Sequence, residues 1–253
     1  MDLSIIMPAY NEEFRISKTL EAYCSFYYKK YKNDVEILVI VNGSSDNTFQ
    51  LVSEFTRKYK IIKAYEYKEK IGKGGAIIEG FKKANGLLMG YVDADMATSP
   101  EAFYDLISRI KNYDGIIASR WIKNAVINKK QPIKRLIASR VFNILVRVLF
   151  RLGFNDTQCG AKLFKKHAID SIKNDLGITQ YSFDIDLLYK LKMKGYKVTE
   201  TPTVWHDQED SKLVLKKTIP NMFFSVLRLR LIYSRLRFIV NTYDAIHDAY
   251  FKK

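Results

Sequence analysis

The sequence predicts an α/β protein with a mixed, mostly parallel sheet flanked by helices. Three observations lead there. Short aliphatic runs at residues 3–8 (LSIIMP) and 36–42 (EILVIVN) end at Pro8 and at Asn42-Gly43, as buried strands do. Stretches of helical periodicity separate one run from the next. The alternation repeats four times within the first 95 residues, which argues for parallel strands joined by helical crossovers.

Residues 12–32 follow the first strand as a helix, with Leu20, Tyr23, Phe26 and Tyr27 at helical spacing. After the second strand, the turn NGSSDN opens a helix over 46–59 that turns Thr48, Leu51, Val52 and Phe55 inward. A third strand at 62–67 leads through the glycine-rich link KIGKGGA (70–76) into a helix over 76–84, and LLMGYVDAD (87–95) is the fourth strand. Beyond Pro100 the rhythm changes: a helix at 101–112, a strand at 115–119, a basic apolar segment, an irregular stretch around 156–164, a helix at 184–194, a strand at 196–200 and a basic C-terminal segment. Ligands of such sheets bind beyond the carboxyl ends of the strands. Tyr10 to Glu12, Asn42 to Asp46, Asp93 and Asp95 fall there.

At 253 residues, 47% of them apolar, the chain fits one domain, with or without an appendage, and is not a disordered polymer. Two cysteines, Cys24 and Cys159, exclude a disulfide scaffold and a cysteine zinc cluster; Cys159 reads as a small buried residue. His167, His206 and His247 lack metalloprotease spacing. The chain opens on Met1-Asp2 and a strand-like run, so no leader peptide is expected. The longest uncharged stretch, Thr218 to Leu227, has ten residues, whereas a spanning helix needs roughly 20. No membrane crossing is expected.

The net charge of +15 is segregated. Gly115 to Asn155 holds nine basic residues and no acid, and Ser211 to Tyr243 holds seven and no acid, leaving the rest of the chain close to neutral. Such placement implies a polyanionic partner facing two segments. On a helix over 140–152, Arg140, Arg147 and Arg151 form a narrow stripe, with Phe142, Leu145, Leu149 and Leu152 on the far side. This pattern suits a membrane interface, and also a core helix with one wet edge. In the second segment, Arg228/Arg235 and Arg230/Arg237 point to opposite sides, so docking on lipid, on the domain or on a second copy (a homo-oligomer) all remain open. Nucleic acid is disfavoured, because the basic residues alternate with Leu, Ile, Val and Phe and no nucleic-acid-binding signature appears.

Asp93-Ala94-Asp95 ends an apolar strand, and two carboxylates there are costly without a positive partner. A hard divalent cation, Mg²⁺ or Mn²⁺, bridging a diphosphate answers that need; a polar turn capped by Asp95 is the plainer reading. PAYNE (8–12), NGSSDNT (42–48), KGGA (73–76) and DAD occur in order, and together they resemble the family 2 glycosyltransferases of GT-A (Rossmann-like) fold. ASR (118–120), DTQCGAKLF (156–164), FDIDLLY (183–189) and SKL (211–213) are similar to the dolichyl-phosphate sugar synthases, and the DTQCG form to their dolichyl-phosphate glucose branch. The resemblance covers about residues 3–215.

It implies a transferase domain over 1–215, including a basic interface segment at 121–152, then a basic helical segment over 216–253. Pro8, Ala9, Tyr10 and Glu12 are expected to line the nucleobase and ribose pocket, with Asn42, Lys73, Ala94, His206 and Lys212 also on the donor nucleotide. Asp93 and Asp95 are expected to hold the metal. Some synthases have Gln two residues beyond the second Asp; Ala97 stands there. Arg120, Lys134 and Arg135 are expected to grip the acceptor phosphate, arginine through its planar fork. Asp184 and Asp186, two apart on a helix, cannot face the same way, so one is expected at the acceptor and the other in a cap or pair. Tyr10 and Trp205 also fit as packing aromatics, and Gly74 and Gly75 as a tight loop.

The implied reaction is inverting transfer of a sugar, glucose first, from a UDP-sugar to dolichyl or polyprenyl phosphate. UDP-N-acetylglucosamine, GDP-mannose or a soluble saccharide acceptor are the alternatives, and a non-catalytic binding protein is the remote one. The expected location is the cytoplasmic face of a membrane, held peripherally.

Overall fold

A computed structural model describes residues 1–128, 133–178, 180–206, 215–238, 240 and 242, without the side chains of 134, 135 and 215–219. The chain divides into two compact units, one of Met1–Gln131 with Phe154–Ser211, the other of Pro132–Gly153 with Lys212–Lys253.

In the first unit, strands β1 (Leu3–Ala9), β2 (Val35–Asn42), β3 (Ile62–Tyr67) and β4 (Leu88–Tyr91) pair in parallel, as expected. Every residue of β1 and of β2 is buried, which is why both read as unbroken apolar runs. Each Ile, Val or Leu so buried contributes about 1.5–3 kcal/mol. Helices α1 (Ile16–Tyr31), α2 (Thr48–Lys58), α3 (Gly72–Lys83) and α4 (Pro100–Arg109) make the crossovers.

Two expectations are corrected here. α1 starts at Ile16, because the backbone N–H groups of Asn11 and Glu12 donate to Ser44 Oγ and Thr48 Oγ1 and hold that segment as a loop. α3 starts at Gly72 and absorbs the glycine-rich link; a side chain at position 74 would come within 2.6 Å of Phe183 Cβ, so Gly74 serves close packing.

The second half of the sheet comes from β5 (Gly115–Ser119), β7 (Lys162–Lys165) and β8 (Val198–Pro202), and the full order is β3-β2-β1-β4-β7-β5-β8. β7, read from the sequence as irregular, is antiparallel to both β4 and β5. Its reversed direction puts its first residue, Lys162, opposite Tyr91 at the carboxyl end of β4. The unit is completed by α6 (Lys166–Asp170), α7 (Phe183–Met193) and a small parallel pair, β6 (Val126–Ile127) with β9 (Val204–Trp205).

In the second unit, α5 (Ile133–Phe150) packs against α8 (Leu215–Ile232), and Val146, Phe150, Val226 and Leu229 are buried. The outer face of α5 is apolar: Ile133, Ile137, Val141, Ile144 and Val148 are all exposed, at helical spacing, with exposed Arg140 and Arg147 on the same side. The helix stops at Phe150 and Arg151 has φ 52°, so the arginine stripe within it is Arg140 and Arg147. Among the described residues, no helix is long and apolar enough to cross a membrane.

Candidate active site

The polar loops gather at the carboxyl edge of the sheet, where β1 lies between β2 and β4 and the strand order reverses. The loop after β4 is tethered from below by α1. Thr19 Oγ1, Tyr23 O–H and Tyr27 O–H, four residues apart on one helical face, donate to the carbonyls of Ala94, Thr98 and Pro100 at 2.8, 2.9 and 3.0 Å. Met96 has φ 65°, a strained conformation for an unbranched residue in the middle of that loop.

Asp93 and Asp95 stand on this loop. Lys73, from the first turn of α3, approaches Asp93 Oδ1 at 2.5 Å. Asp95 Oδ1 accepts the Ala97 N–H at 2.9 Å. Burial, and then the charge of Asp93, push the Asp95 carboxyl up to about 6. Partial desolvation opposes the charge of Lys73, whose side chain is 43% exposed, but the carboxylates of Asp93 and Asp184 outweigh it and hold the ammonium above its usual range. The two aspartates therefore repel one another and draw a cation.

Arg120, just past the end of β5, is partly buried and bidentate on Asp156: Nε to Oδ2 is 2.7 Å and Nη2 to Oδ1 is 2.9 Å. Its guanidinium lies 5.0 Å from the ring centroid of Trp205 and 5.5 Å from that of Trp121. The plane is thus fixed on three sides. A second buried network stands beside it. Lys162, fully buried, donates to Asp184 Oδ1 and to the Cys159 carbonyl, both at 2.6 Å, and Tyr91 O–H donates to the same carboxylate oxygen. Burial raises the Asp184 carboxyl, yet Lys162 and Lys73 prevail and hold it below the usual carboxylate range.

Of the expected donor residues, Pro8 and Ala9 end β1, and buried Asn42 ends β2 with Nδ2 donating to the Ala9 carbonyl at 3.1 Å. Tyr10 is 38% exposed under the ammonium of Lys70, 4.0 Å from its ring centroid, so it lies at the surface rather than in the core. Trp205 is buried. The Glu12 carboxylate is gripped by Arg15, at 2.7 and 2.8 Å. His206 donates its backbone N–H to the Ala97 carbonyl at 3.0 Å, beside the Asp95 loop, with its ring against Asn128. Asp184 and Asp186 are both buried near lysines, Asp186 Oδ2 lying 3.5 Å from Lys190 Nζ. Lys212 and the side chains of Lys134 and Arg135 lie outside the described residues.

Sequence reasoning did not pick out Asp156 or Lys162 as site residues. A lysine inside the apolar run AKLF was the available signal, because a buried ammonium requires a paired carboxylate.

Both thiols are inert by placement. Burial pushes Cys24 up to about 12, and burial with the charge of Asp156 pushes Cys159 up to about 12. Folded protein treated with iodoacetamide near pH 8 is expected to take up no label, and denatured protein to take up label at both cysteines. Label on the native chain at Cys159 would contradict the packing described.

The profile of Glycosyl transferase family 2 matches residues 4–173. Glycosyltransferase AglD of Haloferax volcanii is 29% identical over 231 residues, which cover 90% of this chain and 37% of AglD. The Dolichyl-phosphate beta-glucosyltransferase of Dictyostelium discoideum is 31% identical over 244 residues, covering 91% of this chain and 74% of that protein. Among solved structures, glucosyl-3-phosphoglycerate synthase from Mycobacterium tuberculosis, in complex with Mn²⁺, UDP and phosphoglyceric acid, matches with a TM-score of 0.65 at 14% identity. It covers 92% of this chain and 78% of that one, a likeness of GT-A fold.

Proposed function

The chain belongs to glycosyl transferase family 2, and on that premise we propose that it moves glucose from UDP-glucose to dolichyl or polyprenyl phosphate, giving the β-linked lipid-phosphate sugar and UDP. The observation that carries the reading is the pair Asp93 and Asp95 at the reversal point of the sheet, one facing a lysine and the other pushed up by burial and then by its neighbour's charge. The name of the Dictyostelium relative supplies the sugar, glucose, and the acceptor, dolichyl phosphate.

The two carboxylates are hard oxygen donors that lack charge balance on their own, so they fit a divalent cation, Mg²⁺ or Mn²⁺. Bound there, it would neutralise the diphosphate leaving group. The remaining steps fall to the chain. Pro8, Ala9, Tyr10 and Asn42 surround the nucleoside, and Lys73 turns from Asp93 to the diphosphate. Arg120, its plane fixed by Asp156 and the tryptophans, offers its remaining N–H groups to the acceptor phosphate. A lipid monophosphate is already ionised at neutral pH and attacks the anomeric carbon in line, inverting it. Position and charge balance are what the protein must provide; a strong base is not needed.

The test is a panel of radiolabelled nucleotide sugars with dolichyl phosphate in detergent, with and without Mn²⁺ or Mg²⁺. Label entering the organic phase from UDP-glucose supports the reading, and label from UDP-N-acetylglucosamine or GDP-mannose alone reassigns the donor. UDP binding without lipid labelling would sink the lipid acceptor in favour of a soluble one.

The acceptor reading extends to the membrane surface, which the chain meets peripherally through the apolar face of α5 and its arginines. Salt is expected to release the protein from anionic vesicles only in part, since screening weakens charge and leaves inserted apolar area untouched. Arg140→Glu/Arg147→Glu is expected to pellet with such vesicles at least about tenfold less, each charge reversal forfeiting roughly 1 kcal/mol or more. Firm retention of that variant would count against docking by α5.

A further inference from the structure

Gly160 sits where the chain turns into β7, and its α-carbon lies flat against the side chain of Asp93. A β-carbon placed there would stand 1.9 Å from Asp93 Oδ2, 2.5 Å from Cγ and 3.1 Å from Oδ1. All three of its nearest neighbours belong to that one carboxylate. Gly160 carries no positive φ, so backbone freedom does not explain the glycine; the space does. The turn itself is pinned. The Cys159 carbonyl accepts from the fully buried Lys162 ammonium at 2.6 Å, and the Ala161 carbonyl accepts the Ala118 N–H of β5 at 3.0 Å. Neither neighbour of Gly160 can therefore yield to a larger residue by a simple shift. On the other side, Lys73 holds Asp93 Oδ1 at 2.5 Å.

We propose that Gly160 is a positioning residue for Asp93: its bare α-carbon is the wall that lets the carboxylate stand at the carboxyl edge of β4, toward the donor diphosphate. The inference rests on the donor-site reading of Asp93. A methyl group at 160 forces the carboxylate into another rotamer, away from the cation and the diphosphate, while leaving the nucleoside pocket on β1 and β2 intact.

The test is Gly160→Ala, alone and combined with Asp93→Ala, read by binding and by thermal unfolding. The single variant is expected to bind UDP in the presence of Mn²⁺ about tenfold more weakly, within the usual span of contact couplings, and to bind uridine, which lacks the diphosphate, as the parent does. Turnover is expected to fall by roughly 100-fold, mainly in kcat, as for a misplacement of about 1 Å. In the Asp93→Ala background the alanine at 160 is expected to cost no further UDP affinity, and the Tm lost in the single variant is expected to return, because the clashing atoms are gone. An equal loss of uridine binding, or losses that add across the double variant, would overturn the proposal. Should Gly160→Ala fail to fold, soluble and cooperative unfolding of the double variant upholds it, and failure of both overturns it. An Asp93→Ala chain that binds UDP with Mn²⁺ as tightly as the parent would instead overturn the donor-site reading, and the Tm comparison would still decide whether Gly160 packs against Asp93 as described.

Discussion

An Asp93→Asn chain is expected to transfer sugar about 10²–10³-fold more slowly than the parent, the usual cost of removing one group that meets charge developing in the transition state. Asparagine keeps the shape of the side chain and its packing on Gly160 while removing the charge. Lys73 then faces a neutral amide in place of the carboxylate it now meets at 2.5 Å. The same substitution relieves Asp95 of the charge that helps push its carboxyl up, so that group falls back toward the ordinary carboxylate range. The check is kcat/KM in saturating Mn²⁺ and Mg²⁺ alongside the Kd for UDP. Unchanged turnover under those conditions would remove Asp93 from the machinery.

Lys162→Met is expected to lower the stability of the fold by about 3–5 kcal/mol, the range for stranding one partner of a buried ion pair. Lys162 is fully buried, and its removal leaves the Asp184 carboxylate with Tyr91 O–H and the more distant Lys73. Lys162→Met/Asp184→Leu is expected to recover most of the loss, since an apolar pair of similar volume needs no charge balance. The pH dependence carries a sign. In the parent, Asp184 is held below its unfolded range, so its contribution is present above the unfolded value and lost as pH falls through the folded one. Without Lys162, burial dominates and lifts the carboxyl above that range. The variant's contribution is then present in acid and lost as pH rises, so it falls between about pH 4 and pH 7, where the parent's Asp184 contribution is flat. Urea midpoints across that span test both statements, and a parallel slope in parent and variant would refute the pairing.

The first half of the sheet was legible because β1 and β2 are buried on both faces and their sequences are nearly uniform in Ile, Val and Leu. The carboxylates at its edge were legible for the same reason: an acid-rich tripeptide that ends an apolar strand has few structural uses. β7 was hidden by its brevity and composition, four residues of which two are lysines, one buried and one not. Its antiparallel direction depends on pairing with residues 45 or more positions away, which no local period records. Arg120 was read as a phosphate ligand from its motif, whereas its bidentate partner Asp156 lies 36 residues on and becomes visible only in space. α3 was placed too late because glycine is a poor helix former, and here close packing on Phe183 outweighs that propensity.

The insertion of β7 between β4 and β5 also sets an order of assembly. A nascent chain that has emerged as far as β5 holds β4 with one edge unpaired, since its neighbour on that side is encoded at Lys162–Lys165. Until those residues leave the ribosome, an apolar strand edge stays open to wrong pairing, and the acidic loop above it lacks the wall that Gly160 supplies. The closing contacts are therefore long-range and late, which slows folding and makes truncation before residue 165 a route to aggregation rather than to a smaller working domain.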